Sequence, residues 1–323
     1  MAAEPQTEPF TLKVASSLVR LLPAGRYRTM NLVSNSIDWP VFVATAWAQS
    51  GGCQFIFDLR DSIARELYFT GLYEPQETSL VKATLHEGMT FLDVGANFGY
   101  FTALAAHLVG KRGRIISLEP DPRLFAKLRW MVDRNQLSQV TPLQVAAADK
   151  AGVLKLEGFD ESAGNYGLSK LAIEDASGPH IFDVRAAQID QILNDLSVSQ
   201  VDLVKMDIEG AEQLAIRGMS KGLAAHRYRN IILELHPEPL DQRGVTVRNV
   251  LALLEQSGYR GWRIDHSPNK TRQAAYSRNI SAAEFITEAY NGEQIRDSWP
   301  HMLWLAPEVQ VLCGERRIMQ IER

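Results

Sequence analysis

The chain has 323 residues, 46% of them hydrophobic and 22% charged, and its 34 Lys and Arg against 38 Asp and Glu leave a net charge of −4. These proportions exclude fibrous and disordered classes, and a net acidic chain offers no cationic field for a phosphate backbone, which argues against nucleic acid as a partner. Cys53 and Cys313 alone are too few for a disulfide framework or a thiolate metal site.

Residues 1–80 read as an N-terminal extension. Leu12, Ala15, Leu18, Val19 and Leu22 recur at helical spacing until Pro23 and Gly25. This predicts a short amphipathic helix that packs on the protein's own core or on a second copy in a homo-oligomer. Glu4 and Glu8 precede it and Lys13 and Arg20 interrupt it, unlike a signal peptide, and no apolar run reaches the roughly 20 residues that span a bilayer. The expectation is a cytoplasmic protein with no membrane partner. Gln54 to Arg60 alternates as a strand does, Ser62 to Phe69 suits a helix, and Thr70 to Pro75 reads as a turn or helix entry.

From Thr90 onward apolar strands alternate with helical segments, the order that specifies a parallel sheet flanked by helices. Strands are predicted at Thr90 to Val94, Arg114 to Glu119, Val140 to Ala147, Val201 to Asp207, Asn230 to His236, Tyr259 to Asp265 and Met302 to Leu305. Helices fill Gly99 to Val109, Pro122 to Asn135, Ala211 to Met219 and Val245 to Ser257. The fold class is therefore α/β, a Rossmann-like, doubly wound sheet of seven strands over residues 81–310, with a C-terminal tail at 311–323. Two stretches break the alternation. Residues 160–179 are rich in Gly, Ser, Ala and Asn, and residues 265–300 are polar and aromatic with one predicted helix from Ser281 to Tyr290. Insertions of that length tend to be functional loops.

The most informative segment is Asp93-Val-Gly-Ala-Asn-Phe-Gly-Tyr-Phe-Thr102, a strand end, a small-residue turn and a helix start. Such a turn lets a ligand approach the backbone and sets free helix N–H groups against it. The spacing is Gly-x-x-x-Gly, so the dinucleotide fingerprint Gly-x-Gly-x-x-Gly is absent. Asp93 would repel phosphate but suits an ammonium group. Glu119 closes the next strand, where a carboxylate can accept hydrogen bonds from both hydroxyls of a ribose. One acid for an ammonium and one for a ribose together describe a nucleoside joined to an amino acid, S-adenosylmethionine.

The sequence resembles the FkbM-type family of S-adenosylmethionine-dependent methyltransferases in Tyr68-Phe-Thr-Gly-Leu-Tyr-Glu-Pro75, Asp93 to Thr102, Glu119-Pro-Asp121, Val145 to Gly152, Val204-Lys-Met-Asp-Ile-Glu-Gly-Ala-Glu212 and Glu234-Leu-His-Pro237. The resemblance implies a class I methyltransferase fold. It also implies that Gly95, Asn97 and Gly99 line the methionine side of the cofactor, with Ala96, Tyr100 and Phe101 among the cofactor-binding residues, and that Glu119 holds the ribose. Asp149, with the backbone of Ala147 and Ala148, would face adenine, and Tyr73 and Glu74 would cap the methionine end. The family usually has Ala-Leu-Gly-Asp where this chain has Ala146-Ala-Ala-Asp149, which removes backbone freedom at Ala148.

Lys205, Asp207 and Glu209 fall on one side of a strand end, and Glu234 and His236 fall on one side of the next, so both sets converge on one crevice. His236 is the candidate general base, with Asp207 or Glu234 orienting its imidazole. Glu212 reads as a first-turn acid of the following helix. A divalent metal held by Asp207, Glu209, Glu234 or His236 is the competing account; base catalysis without metal is favoured. The resemblance implies O-methylation of a small-molecule hydroxyl on a sugar, polyketide or other natural product. Asn165, Tyr166, Glu209, Tyr276, Trp299 and His301 are candidates for contacting that acceptor. Two rivals are a nicotinamide-dependent oxidoreductase, which would also use Glu119, and a non-catalytic scaffold that retains the fold.

Overall fold

In a computed structural model, residues 5–22, 25–46, 51–159, 169–172, 177–276, 281–295, 297–309, 312–313 and 316–317 are described. The apolar runs from Thr90 onward form β1 (Thr90–Val94), β2 (Arg114–Leu118), β3 (Val140–Leu143), β4 (Val201–Met206), β5 (Tyr228–Glu234), β6 (Arg260–Ile264), β7 (Ile286–Ala289) and β8 (His301–Leu305). They make one eight-stranded sheet in the order β7-β6-β8-β5-β4-β1-β2-β3. The strands from β5 to β3 pair in parallel, while β8 runs antiparallel to both β5 and β6. The chain reverses direction of progress at β1 and β4, and ligands bind at the carboxyl ends of strands at such a switch point. Because β1 and β4 are covered on both faces, they read as continuous buried runs rather than as alternation.

The seven expected strands are all present, with three differences. The eighth strand, β7, and a short 3-10 helix, Ala282–Phe285, occupy the region expected to be one helix from Ser281 to Tyr290. Pairing with β6 explains the strand, since Ile286 and Ala289 sit opposite Ile264 and Trp262. The strand expected from Val140 to Ala147 divides, because Ala146–Ala147 leaves the main sheet to pair with Ile181–Ala187. That segment also pairs with Gly152–Glu157, which in turn holds Lys170–Leu171, giving a second sheet of four short strands over the carboxyl end of the main one. The insertion at 265–300 also contains a helix at Pro268–Tyr276.

The N-terminal extension shares a core with the sheet. Its first helix, α1 (Phe10–Leu21), buries Leu12 and Val19, as its spacing predicts, and leaves Phe10, Leu18 and Leu21 exposed. Strands Phe42–Thr45 and Gln54–Phe57 bring Phe42 and Phe57 against Tyr68 of α2 (Ser62–Thr70), with ring centroids 5.1 and 5.3 Å away. These residues are continuous with Phe91, Leu104 and Leu203 on one face of the main sheet, while Leu92, Val204 and Leu233 belong to the core on the other. Among the described residues no helix is long and apolar enough to cross a membrane.

Candidate functional site

A cavity of about 280 Å³ opens at the carboxyl ends of β1, β2, β4 and β5. Its floor is the turn after β1. Gly95 there has φ 84, and a Cβ at that position would lie 1.9 Å from the carbonyl oxygen of Asp207. Only glycine lets the β1 turn pass so close to the end of β4. Asn97 is also left-handed, at φ 52, and its backbone N–H donates to Glu119 Oε2 at 2.8 Å. The N–H of Asp121 donates to the other oxygen, Glu119 Oε1, at 2.8 Å. Two backbone donors thus fix the Glu119 carboxyl at the cavity wall. Burial outweighs those donors and pushes its pKa up to about 8.

Of the expected cofactor residues, Tyr73, Gly95, Asn97, Glu119 and Ala147 line this cavity. The others do not. Asp93 is buried beneath it, accepting from the Thr102 hydroxyl at 2.6 Å, and Lys205 lies beside it in register on β4. The ammonium expected at Asp93 therefore meets a carboxylate that is already engaged. Ala96, Gly99, Tyr100 and Phe101 build the turn and helix wall; Tyr100 bonds the Thr78 hydroxyl at 3.0 Å, and Gly99 packs on Met131 and Leu128. Ala148 and Asp149 face the second sheet, where Ala148 N–H donates to the Ala187 carbonyl (2.9 Å) and the Asp149 carbonyl accepts from Gln188 (2.8 Å). Sequence reasoning missed the apolar wall opposite, made by Leu124, Leu156 and Leu171. The last two come from the second sheet, whose short strands leave little periodic signal.

The far end of the cavity is a carboxylate cluster. Asp207 and Glu209 follow β4, Glu234 ends β5, and His236 lies two residues beyond it; all four line the cavity. Lys205 lies beneath, its ammonium 3.2 Å from Glu74 Oε2, 3.3 Å from Asp207 Oδ2 and 4.6 Å from the centre of the Phe101 ring. Glu74 is therefore the partner of Lys205 as well as the residue before helix α3 (Pro75–Thr84). Burial raises the Asp207 pKa, but Lys205 and His236 more than compensate and hold it below the usual carboxylate range. Glu234 is raised well above that range by burial and by Asp207 and Glu74.

His236 Nδ1 donates to Glu212 Oε1 at 2.7 Å, and Glu212 is wholly buried. The orienting carboxylate is thus Glu212, not Asp207 or Glu234 as the strand alternation suggested. Glu212 begins the helix Glu212–Arg217, and it also accepts the Gly210 N–H at 3.0 Å. Its first-turn position was legible, but its tertiary partner was not. Burial disfavours the imidazolium, yet the Glu212 hydrogen bond and the Asp207, Glu212 and Glu209 charges overcome it and lift His236 to about 10. An imidazole so raised keeps its second proton, so His236 does not fit the general-base role expected of it.

Among the residues expected to contact an acceptor, Glu209 and Trp299 line the cavity, with Trp299 65% exposed at its rim. His301 is not in its lining, though its Nε2 stands 3.5 Å from Glu234 Oε1 at the cavity's edge. Its ring stacks on His266 with centroids 3.6 Å apart, and both nitrogens that face Glu77 Oε1 lie within 2.9 Å of that oxygen. Asn165, Tyr166 and the side chain of Tyr276 lie outside the described residues.

The profile of the family described as Methyltransferase FkbM domain matches residues 93–260, more than half of the chain. The hexuronic acid methyltransferase AglP of Haloferax volcanii is 24% identical over 165 residues, which cover 51% of this chain and 61% of that protein. The methyltransferase sdnD of Sordaria araneosa is 27% identical over 203 residues, covering 55% of this chain and 76% of its own length. A solved structure of a methyltransferase FkbM from Methylobacillus flagellatus aligns at 17% identity and a TM-score of 0.40, covering 76% of this chain and 55% of the other.

Proposed function

The chain belongs to the FkbM methyltransferase family, and from that premise we propose that it moves the methyl group of S-adenosylmethionine to a hydroxyl oxygen of a small molecule, a sugar, polyketide or other natural product. The observation that carries this reading is the single cavity in which Gly95, Asn97 and Glu119 lie at one end and Asp207, Glu234 and His236 at the other. In this reading the Glu119 carboxylate accepts from the ribose hydroxyls and the backbone of the Gly95 turn approaches the amino-acid portion. The apolar wall of Leu124, Leu156 and Leu171 covers the adenine.

Transfer from a sulfonium needs the acceptor oxygen in line with the methyl carbon and a place for the hydroxyl proton. The C–O bond forms as the C–S bond breaks with its electron pair going to sulfur, and the proton passes to the carboxylates around Asp207. A hydroxyl acceptor suits this cluster because ionised Asp207 accepts an O–H hydrogen bond. Trp299 at the rim offers a flat apolar surface of the kind that packs on a sugar face. The relative AglP, by its name, acts on a hexuronic acid, which supports a sugar among the acceptors to be tried first.

The test is transfer of a labelled methyl group from S-adenosylmethionine over a panel of sugars and hydroxylated natural products, with the product's attachment atom read by NMR. A product methylated on oxygen is expected. Methylation on nitrogen or carbon would overturn the hydroxyl assignment.

A further inference from the structure

We propose that the carboxylate cluster at the acceptor end of the cavity is a binding site for one divalent cation of the Mn²⁺ or Mg²⁺ class, ligated by Asp207, Glu209 and His236, whose ligand atoms lie within 4.8 Å of one another. The proposal rests on the methyltransferase reading for its chemistry, but its geometry stands alone. His236 is 3% exposed, and its Nδ1 is committed to Glu212. Its other ring nitrogen, Nε2, forms no hydrogen bond among the described residues. Instead it faces three carboxylate oxygens at nearly equal distances: Glu209 Oε2 at 3.5 Å, Glu234 Oε1 at 3.6 Å and Asp207 Oδ1 at 3.7 Å.

Those distances are too long for hydrogen bonds and close to the separation of ligands that share an ion. Two donors about 2.1–2.2 Å from a common metal stand about 3.0 Å apart at octahedral angles and about 3.5 Å apart at tetrahedral ones. Octahedral separation takes a closure toward Nε2 of about 0.5 Å from Glu209 and about 0.7 Å from Asp207. Asp207 divides its two oxygens, Oδ2 toward Lys205 and Oδ1 toward His236, so it can serve both cations. Glu234 Oε2 is buried without a hydrogen-bond partner. Glu212 completes the arrangement, since a metal-bound imidazole almost always gives its second ring N–H to a carboxylate, which fixes the tautomer and the ring plane. Two carboxylates with one imidazole form a hard donor set, which favours Mn²⁺ or Mg²⁺ over thiolate-seeking metals.

A second histidine-containing cluster, Glu77, His266 and His301, does not converge in the same way. Its imidazoles are stacked with an interplanar angle of 15° and both turn a ring nitrogen to Glu77 Oε1, at 2.7 and 2.9 Å, so that oxygen is already shared between the two rings. In the first cluster Asp207, Glu209 and the Nε2 of His236 would hold the cation, which would polarise an acceptor hydroxyl beside it.

The experiment is Mn²⁺ binding to the full chain after chelator treatment, followed by electron paramagnetic resonance, with S-adenosylhomocysteine affinity measured in parallel by calorimetry. One Mn²⁺ per chain is expected. Glu209→Gln, at the cavity lining, and Asp207→Asn should each weaken Mn²⁺ at least tenfold while Glu209→Gln retains the nucleoside affinity. Glu212→Gln should weaken it about 10- to 100-fold, and His266→Gln should leave it unchanged. Absence of Mn²⁺ binding up to millimolar concentration in a chain that still binds S-adenosylhomocysteine would overturn the cation site and leave the methyltransferase reading standing. Mn²⁺ that survives Glu209→Gln but is lost in His266→Gln would overturn it equally. A chain that binds Mn²⁺ as predicted but not S-adenosylhomocysteine would support the site and remove the function.

Discussion

Glu212 and His236 form a closed pair: the carboxylate is inaccessible, the imidazole is 3% exposed, and they meet at 2.7 Å across 24 residues of chain. The pair joins the helix after β4 to the end of β5, so it sets the mutual position of the two strand ends that carry the cluster. Glu212→Ala leaves a buried cation with its orienting acceptor gone and should cost about 3–5 kcal/mol of stability. Glu212→Gln keeps an acceptor oxygen and should cost less. Urea denaturation of the two variants measures the difference; equal losses would show that packing, and not the hydrogen bond, makes the contact matter.

Glu119 should control cofactor affinity. Both its oxygens already accept backbone N–H bonds, so its orientation is set before a ribose arrives. Glu119→Ala removes charge-assisted hydrogen bonds and should weaken S-adenosylhomocysteine by about 1.5–3 kcal/mol, roughly 10- to 150-fold. Calorimetry reads this directly, and an unchanged affinity removes the ribose assignment.

The same carboxyl gives a pH dependence with a definite sign. Burial raises its pKa from 4.5 to about 8, and hydroxyl donors favour the ionised form. Cofactor affinity should therefore rise between pH 6.5 and pH 9, with proton release detected as a buffer-dependent heat. The stability contribution runs the other way. The folded chain holds this proton where the unfolded chain has lost it, so stability should fall as pH rises from about 4.5 to about 8. In Glu119→Gln both slopes should flatten.

What the sequence disclosed follows from period and end position. Five-residue apolar runs such as Thr90–Val94 announce buried strands, and acids placed at strand ends, Glu119, Asp207 and Glu234, announce a shared edge. That logic found the four cavity-lining members of the cluster. It could not find Glu212, because a first-turn helix acid and a buried orienting acid look alike until the helix is folded back. Nor could it show that Asp93 is engaged by Thr102, nine residues away on the following helix. Ala148 and Asp149 were placed against adenine by resemblance, but the pairing of Ala146–Ala147 with Ile181–Ala187 turns them toward the second sheet, and a two-residue strand has no periodicity to read.

Gly95→Ala tests the turn that forms the cavity floor. Its φ of 84 disfavours any side chain, and the added Cβ would fall 1.9 Å from the Asp207 carbonyl oxygen. Backbone strain and overpacking together should cost about 2–6 kcal/mol. Separation of the β1 and β4 ends should also abolish S-adenosylhomocysteine binding in whatever protein remains folded. Thermal denaturation with and without the ligand separates the two effects, and a variant with normal stability would contradict the close approach.

Lys205 is the cation on which the buried acids depend. Its side chain is 4% exposed, it reaches Glu74 at 3.2 Å and Asp207 at 3.3 Å, and it lies over the Phe101 ring. Lys205→Met preserves most of the packing but leaves both carboxylates facing each other without compensation, at an expected cost of about 3–5 kcal/mol. Glu74→Gln removes one of them and should be milder, since Lys205 keeps Asp207. If the ion pair is real, the double variant recovers stability relative to the sum of the singles, with a coupling of about 1–3 kcal/mol. Additivity within about 0.5 kcal/mol would mean that Lys205 stabilises this end of the cavity through its contact with Phe101 rather than through charge.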